Sequence, residues 1–325
     1  MAVSEATSDR ALVVGTGGVA APPVARRGVR ATLREELAEH WFAYALVLPS
    51  FLVLAVMIGY PVVNTFISAF SRVDPVGNII SVGTFANFRR LADDPYLPRI
   101  LGQTVIYTFA TVGITTVISF VLALVLNQKF PGRTLAKSLL LLAWAAPLSV
   151  SVILWRWIFH GQLGAFNYVL MRLGFIDEYR VWLGEPRTAM AAAIYVEVWS
   201  SLPFVTITLL AGLQSVPRDI YDAAKMDGAH PLREFLDMTL PLMKPITFIA
   251  TLLSVIYAFN SFTVIWIFTK GDPAYRTDII VTYLYKLAFV NLDFGAASAL
   301  AVVTFVLLIV FSVTYSRVYL GRRAR

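Results

Sequence analysis

Six apolar runs dominate this chain, at about 43–70, 103–126, 135–159, 189–214, 246–269 and 295–320. Each reaches the ~20 residues that a helix needs to cross a hydrocarbon core. A helix that is apolar on all sides has no face to offer to water, so a soluble fold would have to bury all six. The composition does not supply the polar shell for that: 58% of the residues are hydrophobic and 14% are charged. The sequence therefore predicts an all-α integral membrane protein with six transmembrane helices. A further run at 279–290 is too short to span and is interrupted by Lys286, which predicts an external half-helix. Pro49, Pro61, Pro147 and Pro203 fall inside predicted spans, where neighbouring helices can re-satisfy the freed backbone groups.

Residues 1–40 form a tail before a single membrane domain at 41–325. Its apolar part is broken by Gly15, Gly17, Gly18, Pro22 and Pro23, so it has no continuous core of a cleaved signal peptide. The expectation is a disordered cytoplasmic tail, with Arg34–His40 as a short amphipathic piece on the membrane surface. With the amino terminus inside, 16 of the 27 Lys and Arg residues lie in inner segments, the sign required by the positive-inside rule. Both termini and the segment 216–245 are then cytoplasmic. The net charge of +7 does not suggest nucleic acid, because the basic residues gather at helix ends and not on one folded face.

The segment 216–245, VPRDIYDAAKMDGAHPLREFLDMTLPLMKP, is polar yet lies between two spans. Pro217 and Pro231 suit two helix starts. Asp219 and Asp222 suit the positive end of the first helix, and Gly228 its left-handed exit. Leu232, Phe235, Leu236 and Leu240 then recur at helical spacing. Asp222, Ala223, Ala224, Asp227, Gly228 and Ala229, followed by Phe235 and Pro241, resemble the EAA loop of permease subunits in binding-protein-dependent ABC importers. Asp222 stands where that pattern has Glu, which keeps the charge and loses one methylene. The resemblance implies an ABC type I importer permease fold and gives these eight residues the role of coupling to a separate ATPase.

Two outer stretches extend the likeness. WRWIFHGQLGAFN (155–167) and TKGDPAYRTDIIVTYLYKLAF (269–289) resemble segments of the maltose-type and glycerol-phosphate-type permease branch, with Asp272 replacing the usual second Gly. Trp155 and Trp157 also suit an interfacial aromatic belt. Within the spans, EVWSSLPF (197–204) is polar and kinked, and Ser254, Tyr257, Ala258 and Ser261 share a helix face by their spacing. By resemblance, Ser200, Ser201, Phe204, Ser254, Tyr257, Ala258 and Ser261 match maltose-contacting positions of the family, which implies a solute pathway there. Aromatic faces and hydroxyls suit a neutral mono- or oligosaccharide, and the same groups also serve as glue between helices. Glu197, an acid inside a span, is expected to pair with Arg156 near the outer end of the third span.

The sequence points away from catalysis. It has no Cys, and His40, His160 and His230 lie too far apart for metal-ligand spacing. It has no G-x-x-x-x-G-K-[ST] loop, so ATP and Mg are expected on a partner ATPase and not on this chain. The resemblance implies a second homologous permease chain, two ATP-binding subunits and an extracytoplasmic solute-binding protein, within membrane lipid. Two alternatives stand beside a sugar importer: an ABC permease for a solute such as glycerol phosphate, and a secondary transporter that uses Glu197.

Overall fold

The computed structural model describes residues 29–320, in two compact units that divide between Tyr60 and Pro61. The first holds helix α1 (Val29–Leu54) and a π-helical stretch, Ala55–Gly59. Arg34–His40 belongs to α1 and is not a separate element, whereas residues 1–28 of the expected tail lie outside the described residues. The π-helical stretch has a local cause. Pro61 has no N–H, so the carbonyl four residues earlier loses its partner and the helix widens by one residue.

The second unit begins within α2 (Tyr60–Ala69) and continues into a hairpin, β1 (Ser71–Val73) with antiparallel β2 (Ile79–Val82), Ser71 opposite Val82. The Asp74 carboxylate closes the turn, accepting from the Val76 and Asn78 backbone N–H groups at 3.0 and 2.7 Å. Then come α3 (Ala86–Ala92), α4 (Leu97–Asn127), α5 (Arg133–Ala145), α6 (Leu148–Ile158), α7 (Ala165–Arg172) and α8 (Pro186–Ser215). After α8 the chain forms α9 (Arg218–Met226), α10 (Pro231–Arg233), a π-helical stretch (Glu234–Thr239) and α11 (Leu240–Leu242). It ends with α12 (Lys244–Phe259), α13 (Phe262–Phe268), α14 (Ile280–Tyr285) and α15 (Phe294–Leu320).

Among the described residues, five helical segments are long and apolar enough to cross a membrane: His40–Ala69, Leu97–Asn127, Pro186–Ser215, Lys244–Phe268 and Phe294–Tyr319. The third predicted span, 135–159, is two helices instead, α5 of 13 residues and α6 of 11. Pro147 explains the break: it disfavours helical angles at the residue before it, and Ala146 is extended at ψ 136°. The fifth predicted span also breaks, at Asn260–Ser261 between α12 and α13. The expected half-helix at 279–290 is present as α14 followed by a π-helical Lys286–Val290.

Helices α4 and α8 form the central pair. Thr104, Thr108, Thr111, Thr115 and Ser119 are buried along one stripe of α4, and Ala189, Ala192 and Ala193 are buried on α8. Small side chains let two backbones approach, which is how helices associate where lipid offers no hydrophobic drive. Three apolar layers follow one another along α4. Ile100 packs with Ile280 and Leu300, Tyr107 with Val196 and Ile265, and Phe120 with Leu209 and Met243.

Candidate functional site

The residues of the segment 216–245 fold into a helix, a turn and a second, irregular helical piece. Asp219 lies in the first turn of α9 and Lys225 in its last, the signs that the helix dipole favours. The exit is a complete Schellman motif. The Ala229 N–H donates to the Ala224 carbonyl at 2.9 Å, and the Gly228 N–H to the Lys225 carbonyl at 3.0 Å. Gly228 carries the left-handed angle, φ +74°. A Cβ at Gly228 would meet nothing within 4 Å, so the turn needs glycine for its backbone and not for room. His230 then caps α10, its Nδ1 accepting from the Leu232 N–H at 3.3 Å.

The piece after Pro231 is not the regular amphipathic helix that its spacing suggested. It widens to π at Glu234–Thr239 because Pro241 withholds a donor, as Pro61 does. The stripe also does not turn inward as a whole. Leu232 and Leu236 are 62% and 49% exposed, and Met226 at the end of α9 is 88% exposed. Phe235 turns inward instead: its ring meets Phe120 of α4 edge to face at 6.0 Å and packs on the layer with Leu209 and Met243. Ala224 is buried, whereas Asp222, Ala223, Asp227, Gly228 and Pro241 are exposed. Asp222 and Phe235 also line a cavity of about 1100 Å³ with Lys129, Arg133 and Lys137, which brings the loop before α5 to the same end of the bundle.

A second cavity, of about 510 Å³, lies within the spans. Ser200, Ser201, Phe204, Ser254 and Tyr257 all line it, together with Trp144, Ser151, Trp199 and Glu197. Ala258 and Ser261 do not line it. Adjacent helical residues point about 100° apart, so while Tyr257 is 68% exposed, Ala258 is buried against Val112 and Val255. Ser261 sits in the break after α12, where its hydroxyl donates to Glu197 Oε2 at 2.5 Å. Trp144 was not singled out in the sequence, although its place before the Pro147 break could have marked it.

Glu197 does not pair with Arg156. Arg156 is exposed, and the ion pairs among the described residues are Arg90–Asp293 and Lys286–Asp278. Instead the Glu197 carboxyl accepts from the Tyr107 hydroxyl at 3.0 Å as well as from Ser261. One buried carboxyl therefore joins α4, α8 and the break between α12 and α13. A buried acid needs such donors to offset desolvation, and Tyr107, lying in an apolar stretch of α4, gave no sequence signal of this role.

Residues 115–325 match the family model for the binding-protein-dependent transport system inner membrane component. A probable ABC transporter permease protein of Brucella abortus is 41% identical over 275 residues, 85% of this chain and 95% of that protein. The trehalose/maltose transport system permease protein of Thermococcus litoralis is 35% identical over 282 residues, 86% of this chain and 94% of that one. The fold matches a chain of a bacterial ABC transporter for the acidic polysaccharide alginate, with TM-score 0.78 and 20% identity over 90% of this chain and 99% of that chain. The chain belongs to the family of inner membrane components of binding-protein-dependent transport systems, the permease subunits of ABC importers.

Proposed function

We propose that the chain moves a carbohydrate inward across the cytoplasmic membrane, as one of two homologous permease subunits. Two ATP-binding subunits hold the ATP and Mg, and an extracytoplasmic binding protein delivers the solute. Both termini and the 216–245 loop face the cytoplasm. The observation that carries this reading is the loop itself: it exposes the apolar side chains of Met226, Leu232 and Leu236 and is anchored to α4 through Phe235. Asp222, Ala223, Ala224, Asp227, Gly228, Ala229, Phe235 and Pro241 couple the ATPase to the spans in this reading. The solute site lies at Ser200, Ser201, Phe204, Ser254 and Tyr257, whose rings and hydroxyls suit sugar faces and edges. The cavity there is lined by one acid, Glu197, and by no Lys or Arg, which favours a neutral solute. Ser261 acts through Glu197, and Ala258 through packing. Relatedness to a trehalose/maltose permease supports the substrate class.

The test is reconstitution of the chain with its second permease, ATPase and binding protein in proteoliposomes, with radiolabelled trehalose and maltose as probes. Uptake that requires ATP inside, and that is lost with Gly228→Asp while the complex still assembles, supports the proposal. Uptake without any ATPase, abolished by Glu197→Gln, would instead make the chain a secondary transporter.

A further inference from the structure

At the end of the bundle opposite the 216–245 loop, residues of α4 and α8 line a groove of about 470 Å³. Three arginines from three elements rim it: Arg99 from the first turn of α4, Arg187 from the first turn of α8, and Arg276 from the loop before α14. No acidic side chain lines the groove, and none of the three guanidinium groups has an ion-pair partner among the described residues. Gln103 fixes the third arginine in place, its amide donating to the Arg276 carbonyl while its own Oε1 is buried without a partner. The floor is apolar. Ile106 lies seven residues below Arg99 and Ile194 seven below Arg187, both on the wall of the groove. Seven residues of helix are about 10 Å. The groove is therefore cationic at its mouth and apolar about 10 Å further into the span, on both of its helices alike.

We infer that this groove binds an anionic phospholipid, with the phosphate among Arg99, Arg187 and Arg276 and an acyl chain along Ile106 and Ile194. A free anion would satisfy the three charges and leave the floor bare to water. An anionic transport solute fits less well, because the cavity deeper in the spans presents Glu197 and no cation. Guanidinium groups suit the mouth, since their planar donors match phosphate oxygens. The groove is independent of which solute the importer carries.

The experiment is native mass spectrometry of the assembled complex, titrated with dioleoyl phosphatidylglycerol or dioleoyl phosphatidylcholine. Three single variants, Arg99→Gln, Arg187→Gln and Arg276→Gln, are compared with wild type. All three arginines are exposed, so the substitutions leave the core intact. Each cation near a membrane surface is expected to raise affinity for an anionic lipid about fivefold. Wild type should therefore prefer phosphatidylglycerol, each Gln variant should lose about fivefold of that preference, and Arg187→Lys, which keeps the charge without the planar donors, should lose less than Arg187→Gln. Equal retention of the two lipids by wild type would overturn the inference, as would a preference untouched by all three variants. Displacement of the lipid by millimolar glycerol 3-phosphate would reduce the groove to a simple anion site. If the variants instead weakened capture of the solute-binding protein with lipid retention unchanged, the arginines would be a protein contact and not a lipid site.

Discussion

Replacing Gly228 separates the backbone demands of the 216–245 turn from its contacts. The residue holds φ +74°, and a Cβ there would meet nothing within 4 Å. An L-residue in the left-handed region costs roughly 1–2 kcal/mol, and no steric cost is added at this position. Gly228→Ala should thus weaken the Schellman turn by about 1–2 kcal/mol, a factor of about 5–30 in its opening equilibrium. Asn tolerates left-handed angles better, so Gly228→Asn should cost less, and the β-branched Gly228→Val more. The readout is amide hydrogen exchange at Gly228 and Ala229, whose N–H groups close the turn at 3.0 and 2.9 Å. Exchange there should speed up in the order Asn, Ala, Val, with α4 and α8 unchanged. Solute-stimulated ATP hydrolysis in the complex should fall in the same order. If Asn and Val abolished hydrolysis equally, with exchange at the wild-type rate, the bare surface of the glycine would matter to a partner. The conformational argument would then be refuted.

Phe235→Ala removes the edge-to-face contact with Phe120 and leaves a gap beside Leu209 and Met243. A fully buried Phe→Ala change costs about 3–5 kcal/mol; for this half-buried ring about 2 kcal/mol is expected, measured as a lower unfolding midpoint in detergent together with lost uptake. Asp278→Ala should cost about 3–5 kcal/mol, because it strands Lys286, whose ammonium bonds Asp278 Oδ2 at 2.7 Å with 11% of the side chain exposed. The double variant Asp278→Ala/Lys286→Met should recover most of that, and an equal loss in both variants would count against the ion pair as the cause. Asp74 accepts backbone and side-chain hydrogen bonds from Asn78, which hold its carboxyl below the usual 3.8. The hairpin stabilisation from this group is therefore present above pH ~4 and lost as pH falls through the depressed folded value. Protease cutting between Asp74 and Asn78 should rise on acidification, and Asp74→Ala should show the acid behaviour at neutral pH.

Where the sequence was legible, the signal was long and physically simple. Length and uniform hydropathy located the helical runs because nothing but lipid or core tolerates them. The 216–245 turn was legible through Gly228, since a helix that must stop and reverse within a few polar residues needs a left-handed position. The third and fifth spans were misjudged in continuity for the same reason that they were found: hydropathy counts residues but does not see hydrogen bonds. Pro147 was read as a tolerated kink, yet Ala146 and Pro147 are both extended. Pro203, read the same way, does lie inside an unbroken α8. The difference lies in the setting. Pro203 is buried, in a helix packed along α4, while α5 and α6 present mainly exposed faces around their break.

The cavity within the spans was legible only in part, because it depends on which side of a broken helix faces inward. Four residues at i, i+3, i+4 and i+7 share a face broad enough that its two edges meet different neighbours. Tyr257 reaches the cavity while Ala258 meets α4 at Val112. Glu197 shows a further limit. An acid in a span does need a partner, and sequence suggests the nearest cation, but at low dielectric a hydroxyl already in reach avoids burying a second charge. Tyr107 and Ser261 supply two such donors. This choice bears on how the loop and the cavity communicate. Phe235 joins the loop to α4 beside Leu209 of α8, and Glu197 joins α8 back to α4 at Tyr107, about 18 Å further along by the 12 residues between Leu209 and Glu197. Helices α4 and α8 are thus tied at both levels, with no break in either between them. The adjoining chain is interrupted at Pro147, beside Ala146 on the cavity wall, and at Asn260–Ser261, which reaches the cavity only through the bond from Ser261 to Glu197. In the proposed coupling, a displacement of the loop would be carried by the tied pair as a unit, and the backbone would adjust at the two breaks beside it.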